Sequence, residues 1–420
     1  MNRTPETVTE RPAPEQSRPG GPAQRARLVV AGLVGALITA GILLTVWALS
    51  SSPDETVSSP DEDVSTATDS PAEPSAADPN AADPNLPDPS VPGLLGPGSG
   101  RVPGALTTAE ELQALPTSGY AWDALLSAAN VQSDDIDLSD EDSRHAAETL
   151  ASALVHARTG DAEQRDHVVS VLEELPDASL SGARVLSVGR QLGGYALAAD
   201  LVGYRDAEFT TWIDEMRTED LGGHGRWNSI SETSEDSANN WGTWAMATRI
   251  AVSSYLRDGS DLERAAEVFA GFTGEPDAYD DFRRTDDFDQ TWACGDDGWV
   301  PINPASCGDR GGAIVEDISR SSGSYPQVDD EGLMYSWEVL GGATLSARLL
   351  ERAGYRDVWS WGDQALLRAA QFVEDNGGYP PEYSVLQYIP HEINAAYGVD
   401  LGPVRSAGYG RQFGFSDWLR

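Results

Sequence analysis

The chain has 420 residues, of which 68 are acidic and 28 are basic, and its formal net charge is −40; every basic residue is Arg. A surface this acidic repels the phosphate backbone, which argues against a nucleic-acid-binding protein. About 320 residues follow the polar and apolar N-terminal segments, and this length suits one large folded domain.

The N-terminal part of the chain divides into three segments by composition. Residues 1–27 hold five Arg and three Glu among many Pro, Gln and Gly, which predicts a disordered tail. Residues 28–49 carry no charge, and this apolar run is long enough to cross a hydrocarbon core of about 30 Å. Residues 50–104 are rich in Ser, Pro, Ala, Asp and Glu, which predicts a disordered acidic linker.

The charges that flank the apolar run predict its orientation. Arg25 and Arg27 precede it, and Asp54 and Glu55 follow it. The positive-inside rule therefore places the N-terminus in the cytoplasm and the C-terminal bulk outside the cell. A cleaved signal peptide is the alternative, but its apolar region would be shorter and "ALSSS" is a poor cleavage site. We expect a single-pass cell-membrane protein with an extracellular domain at residues 105–420.

The folded part shows helical periodicity almost throughout, and strand signals are sparse. Apolar residues recur at helical spacing in "TAEELQALPTSGYAWDALLSAAN", with a break at Pro116, in "SRHAAETLASALVHARTG", "ARVLSVGRQLGGYALAADLVG", "NNWGTWAMATRIAVSSYLRDG" and "GLMYSWEVLGGATLSARLLERAG". Many of these stretches end in Gly, as helices often do. Eight or more helices joined by short loops favour stacked helical hairpins with a concave surface.

The helical pattern stops between residues 273 and 326, in a segment rich in Asp, Gly and Trp. Such a long irregular segment is usually functional or disordered, and its aromatic residues favour order. It contains both cysteines, Cys294 and Cys307, which outside the cell favour a disulfide over two unpaired thiols. They form no zinc motif, because no second pair or nearby His completes one.

Several stretches together resemble the alginate-lyase-like domain: "LPTSGYAWDALLSAAN", "GRQLGGYALAADLVG", "NNWGTWAMATRIAVSSYL", "EDISRSSGSYPQVDDEGLMYSWEVLGGATLSARLLERAGY" and the tail "YIPHEINAAYG" with "GRQFGFSDWL". The resemblance covers about residues 105–420. It implies an all-α fold, an incomplete (α/α) toroid, and cleavage of uronate-containing polysaccharide by β-elimination.

Acid runs such as "TDDFD" lack the spacing of a calcium loop, so we expect neither a metal nor another cofactor.

β-Elimination explains which residue types the resemblance assigns. The proton on C5 of a uronate is weakly acidic, because the adjacent carboxylate resists further negative charge. Amide and guanidinium donors on that carboxylate stabilise the enolate-like transition state. A His or Tyr takes the proton, and an acid, usually Tyr, protonates the departing O4.

The resemblance carries over to particular residues. The family's signature pair is Asn followed by His; Asn240 matches the Asn, but Trp241 occupies the His position. Arg320 matches the family Arg in its E-x-x-x-R context, in which Glu316 would orient it. Tyr325 and His224 are the candidate proton carriers. The candidate substrate contacts are Asn239, Trp241, Arg226, Arg249, Glu316 and His391.

Each candidate also has a structural interpretation. Asn239 and Asn240 could cap the following helix. Trp241 could stack on a sugar, whereas core packing is favoured for Trp244. Arg320 could form an ordinary ion pair with Glu316.

Tyr325 could be a packed loop aromatic. His224 could be a flexible surface residue, and His391 a structural one. Glu316 and Asp317 could be the carboxylate pair of a glycoside hydrolase. Their adjacency argues against this, since neighbours in a helix face different directions.

The missing His supports a rival to the lyase, a non-catalytic glycan-binding or cell-envelope scaffold on the same fold. A glycoside hydrolase is the weaker alternative. The net charge also opposes binding of a polyanion, unless Arg226, Arg249 and Arg320 concentrate positive charge in the cleft or salt screens the rest.

Overall fold

The computed structural model describes residues 104–133, 135–222, 228–283, 290–294, 299–320, 324–377, 385–402 and 410–420. The predicted tail at 1–27, the apolar span at 28–49 and the linker up to residue 103 lie outside these ranges, as do His224 and Arg226. In the described part, no helix is both long and apolar enough to span a bilayer. The membrane helix and its orientation stay predictions.

The described residues fold into helices without a β-strand, which confirms the predicted all-α class. The α-helices are α1 (Ala109–Ala114), α2 (Tyr120–Ala129), α3 (His145–Thr159), α4 (Ala162–Glu174), α5 (Val185–Gly189), α6 (Leu192–Val202), α7 (Ala207–Glu215), α8 (Ile230–Asp236), α9 (Asn240–Leu256), α10 (Gly259–Thr273), α11 (Val315–Ile318), α12 (Asp330–Ala353), α13 (Trp361–Gly377), α14 (Tyr388–Tyr397) and α15 (Ser416–Leu419). Short 3₁₀ turns cover Leu175–Asp177, Ala305–Arg310 and Val358–Ser360.

Local signals in the sequence set most helix ends. Thr108 and Glu111 form a capping box that begins α1, and the predicted break at Pro116 separates α1 from α2. Gly160 ends α3 in the left-handed conformation, which glycine adopts without strain. Asp329 caps the first turn of α12 by accepting from the N–H of Gly332.

The stretch "ARVLSVGRQLGGYALAADLVG" forms two helices, α5 and α6, instead of one. The backbone leaves the helical path at Gln191, where φ is −128°. The Gln191 side-chain amide donates to the carbonyls of Asp137 and Asp140 at 3.1 and 2.9 Å. These bonds to a distant loop favour the break, and periodicity alone does not reveal them.

Two long helices, α9 and α12, lie against each other at the centre of the fold. α9 is buried almost all round, and α3, α5, α6, α8 and α10 pack around this pair or next to one another. Gly342 of α12 makes the close approach possible, because a Cβ there would lie 2.5 Å from the Thr243 carbonyl oxygen. The two helices therefore hold a fixed position relative to each other.

The described part of the irregular segment is ordered around the disulfide between Cys294 and Cys307, which confirms the predicted pairing. Asn303 lies inside the loop that this bond closes, and its Nδ2 donates to the carbonyls of Trp292 and Arg310 at 2.8 and 3.0 Å. A fully buried amide with satisfied donors fixes the loop from within. The described part of this segment is thus an ordered lobe around the disulfide.

Candidate functional site

The stretch "SANNWGTW" opens α9 at the point where α9, α11 and α12 meet. Asn239 is its N-cap and is fully buried. Its Oδ1 accepts from the N–H groups of Trp241 and Gly242 at 3.0 and 3.4 Å, and its Nδ2 donates to Glu316 Oε1 at 2.8 Å. Both ends of this amide are engaged inside the protein, so Asn239 caps the helix and supports the site from behind.

Asn240 and Arg320 meet although they are 80 positions apart in the sequence. Arg320 follows the short helix α11, and its Nη1 donates to Asn240 Oδ1 at 3.0 Å. A guanidinium only donates, so the amide oxygen of Asn240 must face it. The Asn240 Nδ2 group is then turned away from Arg320. The structure thus brings together the two residues that the resemblance assigns to a sugar carboxylate.

The Asn240–Arg320 pair has hydrogen-bond donors that no described residue uses. No described residue accepts from Asn240 Nδ2 or from Nε and Nη2 of Arg320, whose side chain is 31% exposed. The Nε and Nη2 groups of Arg320, on a partly exposed side chain, match the two oxygens of a carboxylate, which guanidinium groups bind in a forked geometry. Asn240 is only 2% exposed, so the guanidinium is the more accessible donor. The arrangement can recognise a carboxylate.

Asp317 lies beneath this pair with no exposed surface. Its Oδ1 is 3.5 Å from Arg320 Nη1, and the backbone N–H of Asn240 also lies near its carboxyl group. Its Oδ2 has no hydrogen-bond partner among the described residues. Burial raises the pKa of Asp317 well above its ordinary value; Arg320 and the Asn240 N–H oppose this rise, whereas Glu316 and Glu338 add to it.

The expected contact between Glu316 and Arg320 is corrected by the structure. Glu316, 2% exposed, binds Asn239, and Asp317 is the acid beside Arg320. The E-x-x-x-R spacing brings two side chains together only on a continuous helix. α11 is four residues long and ends at Ile318, before it could align them.

The tyrosine beside Arg320 is Tyr335 of α12, not Tyr325. The guanidinium carbon of Arg320 lies 4.5 Å from the centre of the Tyr335 ring, a cation–π distance, and Tyr335 is half-buried. Sequence reasoning did not select Tyr335, because in "EGLMYSWEV" it is one more large residue in an amphipathic helix. Only its contact with Arg320 distinguishes it.

Tyr325 belongs to the disulfide lobe. Its hydroxyl donates to Asp309, its backbone N–H donates to Thr291 Oγ1 at 2.8 Å, and its ring packs 5.3 Å from that of Trp292. The hydrogen bond to Asp309 raises the pKa of Tyr325. In the described residues no hydrogen bond or ring contact joins Tyr325 to Asn240 or Arg320.

The two tryptophans of the stretch differ in their surroundings. Trp244 is fully buried and its indole N–H donates to Glu338 Oε2 at 3.2 Å, which confirms its core position. Trp241 is 8% exposed, and the Arg184 guanidinium lies 5.9 Å from its ring centre. Arg184, half-exposed, also pairs with Glu141. Trp241 therefore offers a sugar only a small part of its face unless Arg184 moves.

A buried ionic cluster extends from Trp244. Glu338 accepts from Arg190 at 2.8 Å and from Arg411 at 3.1 Å, and all three side chains are about nine-tenths buried. Glu338 also contributes to the pKa of Asp317, so the cluster lies close to the Asn240–Arg320 pair. The cluster joins α5, α12 and the C-terminal segment, which sequence reasoning could not bring together.

Arg249 lies apart from this site. Its guanidinium binds Asp261 at 2.9 and 2.6 Å and Glu235 at 2.8 Å, so acids already neutralise its charge. It lines a polar surface cavity of about 440 Å³ together with Arg217, Asp258 and other charged residues of α7 and α10. Neither this cavity nor an adjoining one of about 430 Å³ includes Asn240 or Arg320.

The remaining candidates are two histidines and one arginine. His391 is half-buried on α14, and His224 and Arg226 lie outside the described residues. In the ranges that the structure describes, no group of three or more His, Cys, Asp or Glu residues is arranged to hold a metal ion.

Comparison with known proteins assigns this chain to no family. No protein-family model matches this chain, and no curated protein matches it. The function must therefore be argued from the site.

Proposed function

We propose that residues 105–420 form an incomplete (α/α) toroid of the alginate-lyase-like kind that binds a uronate-containing polysaccharide and cleaves it by β-elimination. The observation that carries this proposal is the hydrogen bond from Arg320 to Asn240 at 3.0 Å, together with donors on both side chains that no described residue uses. Residues 28–49 would anchor the protein in the cell membrane, with this domain outside the cell.

In this proposal the uronate carboxylate binds against Arg320 and Asn240. The Nε and Nη2 groups of Arg320 and the Nδ2 group of Asn240 donate to its two oxygens. These donors stabilise the charge that moves onto the carboxylate as C5 loses its proton, and this is the largest contribution that a site can make to such a step. Asp317, enclosed beneath, keeps the guanidinium close to Asn240.

Tyr335 is the group that moves the proton, because it is the tyrosine that contacts Arg320. As a phenolate it takes the C5 proton; the electron pair of the C5–H bond forms the C4=C5 double bond, and the C4–O4 bond breaks. The phenol formed then returns that proton to O4 of the leaving chain. One side chain can serve both steps, so the missing His at Trp241 does not by itself prevent elimination.

A second function has its own support. The position after Asn240 holds a nearly buried Trp, and Tyr325 is bound to Asp309. A domain with the carboxylate donors but no base would bind glycan without cleaving it, as a cell-envelope scaffold. The glycoside-hydrolase alternative has little support, because Glu316 and Asp317 are both enclosed and neither can reach a glycosidic oxygen.

One assay separates these functions. The purified full chain is incubated with a panel of uronans, and the absorbance of unsaturated uronate is followed together with new reducing ends and bound glycan. The lyase predicts new absorbance that disappears in Arg320→Ala and persists in Arg165→Ala, a matched exposed Arg on α4. Binding without either product supports the scaffold, and reducing ends without absorbance support the hydrolase.

A further inference from the structure

The proposed carboxylate site has a buried acid, Asp317, close to its partly exposed cation, Arg320. Asp317 Oδ1 lies 3.5 Å from Arg320 Nη1, beyond a good hydrogen bond, whereas the same nitrogen donates to Asn240 Oδ1 at 3.0 Å. Asp317 Oδ2 is enclosed without a hydrogen-bond partner among the described residues. An ionised carboxylate with one empty oxygen and a cation within reach would bind that cation more tightly.

We propose that Asp317 is a positioning residue controlled by its protonation. When its carboxyl loses a proton, it forms an ion pair with Arg320, and the site loses affinity for an anionic ligand. The proposal rests on the proposed carboxylate binding by Arg320 and Asn240. It adds a regulation of that site which the donors themselves do not require.

With Asp317 neutral, Arg320 carries a positive charge that no other described acid pairs with, and a ligand carboxylate can compensate it. With Asp317 ionised, an opposite charge lies within about 4 Å of the guanidinium, and in a poorly solvated site this competes directly with the ligand carboxylate. Arg320 cannot respond by losing its own proton, because a guanidinium stays charged. The proton on Asp317 is therefore the variable that controls the site.

Other charged groups near Asp317 favour its neutral form. Glu316 is its neighbour in α11, and Glu338 of α12 acts on it with the same sign. Glu338 is itself compensated by Arg190 and Arg411. α12 further carries Tyr335 near Arg320 and, at its start, the acids Asp329, Asp330 and Glu331. Arg320 is the cation that opposes this most strongly, and burial outweighs it in raising the pKa of Asp317.

The test measures binding, so that it does not depend on the protonation of a catalytic base. Labelled oligomannuronate and oligogalacturonate are titrated into the full chain at several pH values between about 5 and 8. Wild type is compared with Asp317→Asn, which keeps the shape and one acceptor oxygen but cannot ionise. Asp166→Asn, an exposed acid on α4, removes the same charge elsewhere and is the control.

We expect the Kd of wild type and Asp166→Asn to rise about tenfold or more across this range, and that of Asp317→Asn to change less than about threefold, since one unit of pH changes a single proton equilibrium tenfold. An equal rise in all three proteins overturns the inference and leaves the proposed function intact. Binding to neither probe at any pH, with wild type folded, overturns both.

A second measurement needs no ligand. A raised folded pKa means that the stability associated with Asp317 is complete below its unfolded pKa and is lost as pH rises through the folded value. The melting temperature of Asp317→Asn should therefore increase relative to that of wild type as pH rises. A difference that stays constant with pH shows that Asp317 does not titrate and contradicts the inference, even if Asp317→Asn also binds poorly.

Discussion

Arg320 donates to the side-chain oxygen of Asn240 at 3.0 Å while its guanidinium lies 4.5 Å from the Tyr335 ring centre. Three segments of the chain, the start of α9, the residues after α11 and the first turns of α12, thus converge on one cation. We make five predictions about activity and stability, and the first two rest on this convergence.

The forked geometry of Arg320 should matter more than its charge. We expect Arg320→Lys to weaken uronan binding by about tenfold to a hundredfold, because an ammonium cannot bond the ligand, Asn240 and Tyr335 together, and a bond to a charged group contributes about 1.5–3 kcal/mol. Calorimetric titration of the full chain measures this loss. Arg165→Lys, exposed on α4, should bind as wild type does. Unchanged affinity in Arg320→Lys would mean that the ligand meets the cation without directed hydrogen bonds.

Substitution of Tyr335 and of Tyr325 should have different effects on kcat. Tyr335→Phe removes the hydroxyl that moves the proton, so kcat should fall by about a hundredfold or more while glycan binding changes little. Tyr325→Phe loses only the bond to Asp309, and its kcat should stay within about twofold of wild type. The measurement is the rate of unsaturated-uronate formation. The opposite ranking would return the proton transfer to Tyr325.

The buried Glu338 should be a major source of stability. Glu338→Gln removes the buried acid that Arg190 and Arg411 share and leaves them only the more exposed partners Glu141 and Asp142. Breaking a buried pair in this way costs about 3–5 kcal/mol. Urea unfolding at neutral pH measures this loss, and Glu173→Gln, exposed on α4, is the control. A loss below about 1 kcal/mol would show that water or rearrangement compensates for the missing charge.

Glu338 should also contribute to the loss of folding stability at low pH. Burial alone would raise the pKa of Glu338, but Arg190, Arg411 and the Trp244 indole together hold it below its ordinary value. A carboxyl with a lowered folded pKa contributes stability above its unfolded pKa of about 4.3, and this is lost as pH falls through the folded value. The stability advantage of wild type over Glu338→Gln should therefore shrink below about pH 4, in contrast to the behaviour expected for Asp317.

The disulfide should stabilise the lobe that holds Tyr325. Cys294 and Cys307 are 13 positions apart, and closing a loop of that size contributes about 3 kcal/mol. We expect the double variant Cys294→Ser, Cys307→Ser to be cleaved faster by proteases within residues 290–310. Binding of uronan by Arg320 should persist, because none of the described hydrogen bonds of Arg320 comes from this lobe. Loss of binding together with the lobe would contradict this separation.

Much of the helical fold could be predicted from the sequence. Glycines, caps and apolar spacing are local signals, so α3 and α12 begin and end within a few residues of the predicted stretches. The break at Pro116 followed from proline chemistry. The separation of α5 from α6 did not, because it depends on bonds between Gln191 and a distant loop.

The site was predictable only in part. Asn240 and Arg320 were selected by resemblance to a family, and their contact is a property of the fold that no local pattern encodes. The spacing rule chose Glu316 as the partner of Arg320, and it was wrong because α11 ends too early for that rule to apply. Tyr335 and the Glu338 cluster carry no sequence signal, since their roles depend on neighbours from distant segments.

The close approach of Gly342 to the Thr243 carbonyl has a mechanical consequence. α9 carries Asn240 and α12 carries Tyr335, so one wall of the site behaves as a single rigid block. If the site binds a polysaccharide as proposed, we expect any adjustment to come from Arg320, which follows a helix of only four residues.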